Sequence, residues 1–105
     1  MTIDKLIEAV EAGEWDHDAA AKWLWMKPGQ HYGWAHDAFR GSLDAAKALH
    51  DALLPGWEWN IDAGDGAYVE QRGDFGAPYT ADIPNMPARA WLLAILKAKQ
   101  AEGRG

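Results

Sequence analysis

The sequence contains no cysteine, a single serine, and no apolar run approaching the ~18 residues that a membrane span needs. Without thiols there is no disulfide framework, no zinc site built on thiolates and no cysteine nucleophile. Basic residues are also scarce: 10 Lys and Arg stand against 16 Asp and Glu, a formal charge of −6 over 105 residues. That balance excludes a nucleic-acid binder working through general basicity. The opening stretch MTIDKLIEAVEAGEW mixes charged with apolar side chains and does not read as a signal peptide. A soluble, cytoplasmic domain is the expectation, with no membrane association and no direct nucleic-acid binding. Internal repeats and low-complexity linkers are lacking, as are a Gly-x-Ser-x-Gly elbow, a phosphate-binding glycine loop and a dinucleotide fingerprint. The lone serine, Ser42, is explained by a helix cap. No enzyme, and no cofactor, is expected.

What is abundant is tryptophan. Seven indoles, at positions 15, 23, 25, 34, 57, 59 and 91, occur in a chain sized for one modest core. Each ring carries an N–H that wants a partner, so some of the seven are expected at a surface, an interface or a pocket. Such a surplus suits a homo-oligomer.

The hydrophobic pattern predicts one domain over 1–105. Ile3, Leu6, Ile7 and Val10 fall at helical spacing between Thr2, a cap, and Gly13, a stop. Asp16 caps a short second helix that Pro28-Gly29 ends. Residues 26–41 show neither helical nor strand period and read as an aromatic loop, with one helical turn possible at Trp34–Arg40. Ser42 caps a further helix with a Leu43, Ala46, Leu49, Leu53 stripe, ended by Leu54-Pro55-Gly56. Trp57, Trp59 and Ile61 alternate onto one face of a strand, Ala63–Gly66 turns, and Ala67–Gln71 returns. Tyr79–Ile83 is a short third strand. Arg72-Gly73-Asp74 between them reads as turn chemistry. The closing helix, Ala88 to about Glu102, is apolar over so wide an arc that it must be mostly covered. The chain thus divides into a helical lead-in with an aromatic loop (1–41) and a helix–hairpin–helix core (42–102). The expected fold is α+β: an α/β/α layered sandwich, with helices flanking an antiparallel sheet of two or three strands.

Three segments together resemble a known family. They are Phe39-Arg40-Gly41-Ser42-Leu43-Asp44-Ala45-Ala46, then Leu54-Pro55-Gly56-Trp57-Glu58-Trp59, then the Pro87-Ala88-Arg89-Ala90-Trp91 helix. This run is similar to the phage ABA sandwich domain, whose members pass through Tyr/Phe-x-x-Ser-Leu-Asp-Ala-Ala, Leu-x-Pro-x-Gly-Trp-x-Trp and a Thr-Pro-Ala helix. Met86 stands here where the family often has Thr or Ser. The resemblance implies a small protein carried by a bacteriophage or prophage, at work in the infected host's cytoplasm. It implies no activity, and no catalytic residue is carried over.

Candidate sites follow from local chemistry. Trp57, Trp59 and Trp91 read as packing. Around the aromatic loop, Lys22, Lys27 and Arg40 outweigh Asp37, although the whole chain is acidic. Aromatic rings beside cations suit a nucleotide-like anion. Tyr32 and Trp34 are expected to stack on a base, Lys27, Arg40, His31 and His36 to face phosphate, and Trp23 or Trp25 to form the opposite wall. The four histidines show no metal-ligand spacing, and no metal is expected. A negative stretch runs through Asp4, Glu8, Glu11, Glu14, Asp16 and Asp18, and an acidic face of this kind can imitate DNA. The leading expectation is a phage accessory protein that counters host defence by sequestering a nucleotide-derived immune signal. The alternatives are an acidic protein–protein inhibitor of a defence effector and a phage structural or assembly component.

Overall fold

The computed structural model describes residues 2–24, 29–62, 66–70 and 78–103. Among these residues, five helices and three strands follow in the order α1 (Thr2–Glu11), α2 (His17–Trp23), α3 (Gly29–Phe39), α4 (Leu43–Leu53), β1 (Glu58–Asp62), β2 (Gly66–Glu70), β3 (Tyr79–Ala81) and α5 (Pro87–Gly103). The strands pair antiparallel in the order β1-β2-β3, so the expected α+β class holds and the sheet has three strands.

Local chemistry places the helix ends. Asp16 accepts the Ala19 N–H at 2.9 Å and Ser42 accepts the Ala45 N–H at 3.1 Å, which satisfies a donor in the first turn of α2 and of α4. α1 and α3 end in the same double hydrogen bond. Gly13 N–H donates to Val10 and Glu14 N–H to Ala9; likewise Gly41 N–H donates to Ala38 and Ser42 N–H to Asp37. These are Schellman ends, and the glycines sit at φ +83 and +116, where a side chain would be strained.

Ile3, Leu6, Ile7 and Val10 are all buried, as their spacing predicts. On α4 the buried side is Ala45, Ala46, Leu49, His50 and Leu53. Leu43, expected in that stripe, stands at the rim instead, 44% exposed, because it belongs to the first turn, beyond the core's edge. α5 is buried on all sides from Ala90 to Leu96, the mark of a central helix. Each of its leucines and its isoleucine contributes about 1.5–3 kcal/mol by leaving water.

α5 packs on β2 and β3 on one side and on α1, α3 and α4 on others. The layer order is therefore sheet, α5, remaining helices, where the sequence pattern placed helices on both faces of the sheet. The register explains this. Trp59, Ile61, Ala67, Val69, Tyr79 and Ala81 share the face toward α5, and Glu58, Asn60, Tyr68, Glu70 and Thr80 share the other. A polar outer face needs no cover, the usual arrangement of a one-sided antiparallel sheet.

The aromatic loop expected over residues 26–41 is not a loop where it is described: residues Gly29–Phe39 are helix. Ala35, Ala38 and Phe39 are buried at helical spacing, and Tyr32 and Trp34 are partly buried against the core. Amphipathic rings concealed the period, and Gly29 and Gly33 lowered the local propensity. Packing of the buried face overrides both. The turns at 63–65 and at Arg72-Gly73-Asp74, and the Pro28 stop, lie outside the described residues. No helix among the described residues is long and apolar enough to cross a membrane.

Candidate functional site

The segment between α1 and α2 carries Glu14, Trp15 and Asp16 past the flank of α3. Tyr32 and His36, one helical turn apart, face it. Trp15 stacks on His36 at 5.1 Å between centroids, meets Tyr32 edge-on at 5.9 Å and lies 5.3 Å from Phe39. The Trp15 indole N–H donates to the Tyr32 hydroxyl at 3.0 Å. The Tyr32 hydroxyl also sits 2.6 Å from His17 Nδ1. The Tyr32 hydroxyl therefore bridges the Trp15 indole and the His17 ring.

The pile continues inward. The Arg89 guanidinium lies 3.9 Å from the Phe39 ring centroid, and its Nε–H donates to the Phe39 carbonyl at 2.9 Å. That carbonyl belongs to the last turn of α3, where the helix dipole is negative and its oxygens lack intrahelical donors. A position above Gly13 is 3.9 Å from the same guanidinium, so the end of α1 also converges on it. One half-buried cation thus holds the C-terminus of α3 and an aromatic face, with the end of α1 beside it.

Beside this cluster the surface opens into a groove of about 300 Å³ lined by Ala9, Glu14, Trp15, Asp16, His17 and Asp18. Its chemistry is acidic with an aromatic wall. Several acids of the α1–α2 face are already engaged: Asp4 accepts from Gln100, Asp16 caps α2, and Glu11 lies 4.0 Å from Lys97. Glu8, Glu14 and Asp18 are exposed and take no cationic partner among the described residues.

The residues expected to form one anion pocket fall into separate groups. Tyr32 and His36 belong to the Trp15 cluster. His31 and Trp34 stack on each other at 5.2 Å, and Trp34 packs on the core. A step of two residues along a helix is about 200°, so Tyr32 and Trp34 cannot stack on the same base. Arg40 is exposed beyond the last turn of α3. Lys27 and Trp25 lie outside the described residues, and Trp23 is half-buried against the core. Sequence reasoning missed Trp15, His17 and Arg89. The hint available was an indole and an imidazole flanking a helix cap.

The packing expected of Trp59 and Trp91 is present, with centroids 4.4 Å apart. Trp91 is buried, whereas Trp59 keeps 41% of its surface in water. Among the described residues no three His, Asp or Glu side chains are grouped to hold a metal ion. Comparison of the chain with family models, curated proteins and solved structures finds no match.

Proposed function

We propose that the chain is a binding protein that docks a basic protein partner through the acidic face of α1 and α2. The observation that carries this reading is the groove at their junction, where Glu14 and Asp18 flank the Trp15 and His17 rings. Carboxylates beside an indole suit a lysine or arginine side chain, through charge and through cation–π contact. A net charge of −6 steers a basic partner toward this face. The cluster behind the groove holds Trp15 in place before a partner arrives, which lowers the ordering cost of binding. With the resemblance to phage proteins, the partner class is a host defence effector with a basic, nucleic-acid-handling surface, and the chain is its inhibitor.

The test is the affinity of a hexa-arginine peptide, followed by fluorescence anisotropy as salt is raised. Glu14→Lys should weaken binding at least tenfold, Asp44→Lys on α4 should change it much less, and salt should weaken it steeply. Equal losses from the two charge reversals would mean a general field and no docking site.

One observation favours a second reading, the sequestering of a nucleotide-derived signal. His31 and Trp34 form a stacked pair whose His31 Nδ1 is buried without a hydrogen-bond partner. Equilibrium dialysis against cyclic dinucleotides separates the two readings. Retention that Trp34→Ala abolishes and Glu14→Lys spares belongs to the nucleotide reading.

A further inference from the structure

His50 is the one buried polar residue among those described, 1% exposed in a core that is otherwise apolar. Both its ring nitrogens are engaged. Nε2 lies 3.0 Å from the Trp57 carbonyl, which can only accept, so Nε2 carries the proton. Trp91 Nε1–H, which can only donate, points at Nδ1 from 3.3 Å, so Nδ1 is bare. The two partners together demand the neutral ring. They also lie on different layers. Trp57 is the lead-in to β1, and Trp91 sits on α5 beneath Trp59 of the same strand. His50, on α4, therefore ties the entry of β1 to the central helix.

We propose that His50 is an acid-operated latch on β1. A proton from solvent has one place to go, Nδ1, and there it turns an acceptor into a donor facing the Trp91 N–H. The resulting imidazolium sits among apolar side chains with two donors opposed, a combination the fold cannot keep. Relief comes from release of the Trp57 lead-in, which draws Trp59 off Trp91 and loosens β1, an edge strand of the sheet that the described residues form.

The charged groups around the ring do not compensate. Asp51 and Lys47, on His50's own helix, pair with each other at 2.7 Å and act on the ring in opposite directions. From β1 the nearest ionisable group in sequence is the exposed Glu58, and α5 carries none between Arg89 and Lys97. In agreement with the geometry, burial pushes the imidazole below its ordinary value of 6.5, ahead of the opposing pull of the Trp57 carbonyl and Asp51.

The test is NMR on the full chain, following the four imidazoles and the amide-exchange protection of each element from pH 7.5 to 5. One ring, assigned by its loss in His50→Gln, should hold the Nε2–H form to lower pH than the other imidazoles. Protection of β1 amides, corrected for intrinsic exchange, should fall by up to tenfold per pH unit below 6.5, ahead of α1 and α4. His50→Gln should remove that pH dependence. A His50 ring that titrates in the folded state near 6.5 with the Trp91 N–H signal unmoved would overturn the latch. So would a uniform loss of protection over all elements. If His50→Gln folds poorly, the ring is assigned in the wild type through its contact with the Trp91 indole N–H, so the titration stands without the variant.

Discussion

Trp15 and Tyr32, 17 residues apart, are joined twice: the indole N–H donates to the hydroxyl at 3.0 Å, and the rings meet edge-on at 5.9 Å. The pair fastens the α1–α2 connection to α3 and sets the wall of the acidic groove. Its hydroxyl serves two partners, Trp15 and His17, so it can be removed almost without changing shape.

Tyr32→Phe should therefore lower stability by about 1 kcal/mol, the usual net value of a part-buried hydrogen bond. Chemical denaturation should show a lower midpoint with an unchanged slope. An unchanged midpoint would mean that water replaces the hydroxyl at no cost.

Arg89→Met keeps the stem of the side chain but loses the bond to the Phe39 carbonyl, the contact with the Phe39 ring and the charge at the end of α3. A charge-assisted bond and a helix-terminus interaction together predict a loss of about 2–3 kcal/mol. Arg89→Lys should recover only part of it, because an ammonium lacks the planar fork. Full rescue by lysine would assign the effect to charge alone.

Gly41→Ala puts a side chain at φ +116, which only glycine adopts readily. The expected loss is about 1–3 kcal/mol. Thermal unfolding measures it, and a neutral result would show that the end of α3 rebuilds without its Schellman bonds.

For stability against pH, the sign follows from the direction of the His50 shift. The folded state holds the ring below its ordinary 6.5. Above 6.5 neither state carries the proton and the group contributes nothing to the slope. As pH falls below 6.5 the unfolded chain takes the proton first, so stability falls, until the folded-state value is passed. The slope is at most about 1.4 kcal/mol per pH unit. Denaturation midpoints from pH 7.5 to 5 for the wild type and His50→Gln measure it by difference.

Much of the fold was legible in the residues. The caps at Asp16 and Ser42, the glycine after α1, the alternation of Trp57, Trp59 and Ile61, and the wide apolar arc of α5 each point to what forms there. α3 was hidden because Tyr32 and His36 supply inward surface through rings with polar tips, which a hydrophobic period does not register. The site was legible only in fragments. Tyr32 and His36 stand out as chemistry, but their partners Trp15 and His17 come from another element, and no local spacing announces that pairing. Treated as a loop, the segment left Tyr32 and Trp34 free to face one ligand; as a helix it sets them about 200° apart.

The most direct test of the account is amide NMR of the full chain titrated with the hexa-arginine peptide and, separately, with a cyclic dinucleotide. The account predicts that the peptide shifts Glu14 to Asp18 and the Trp15 indole signal, that added salt suppresses those shifts, and that the dinucleotide leaves them unmoved. Peptide shifts scattered evenly over the acidic surface, or dinucleotide shifts centred on His31 and Trp34 with none at Trp15, would contradict it.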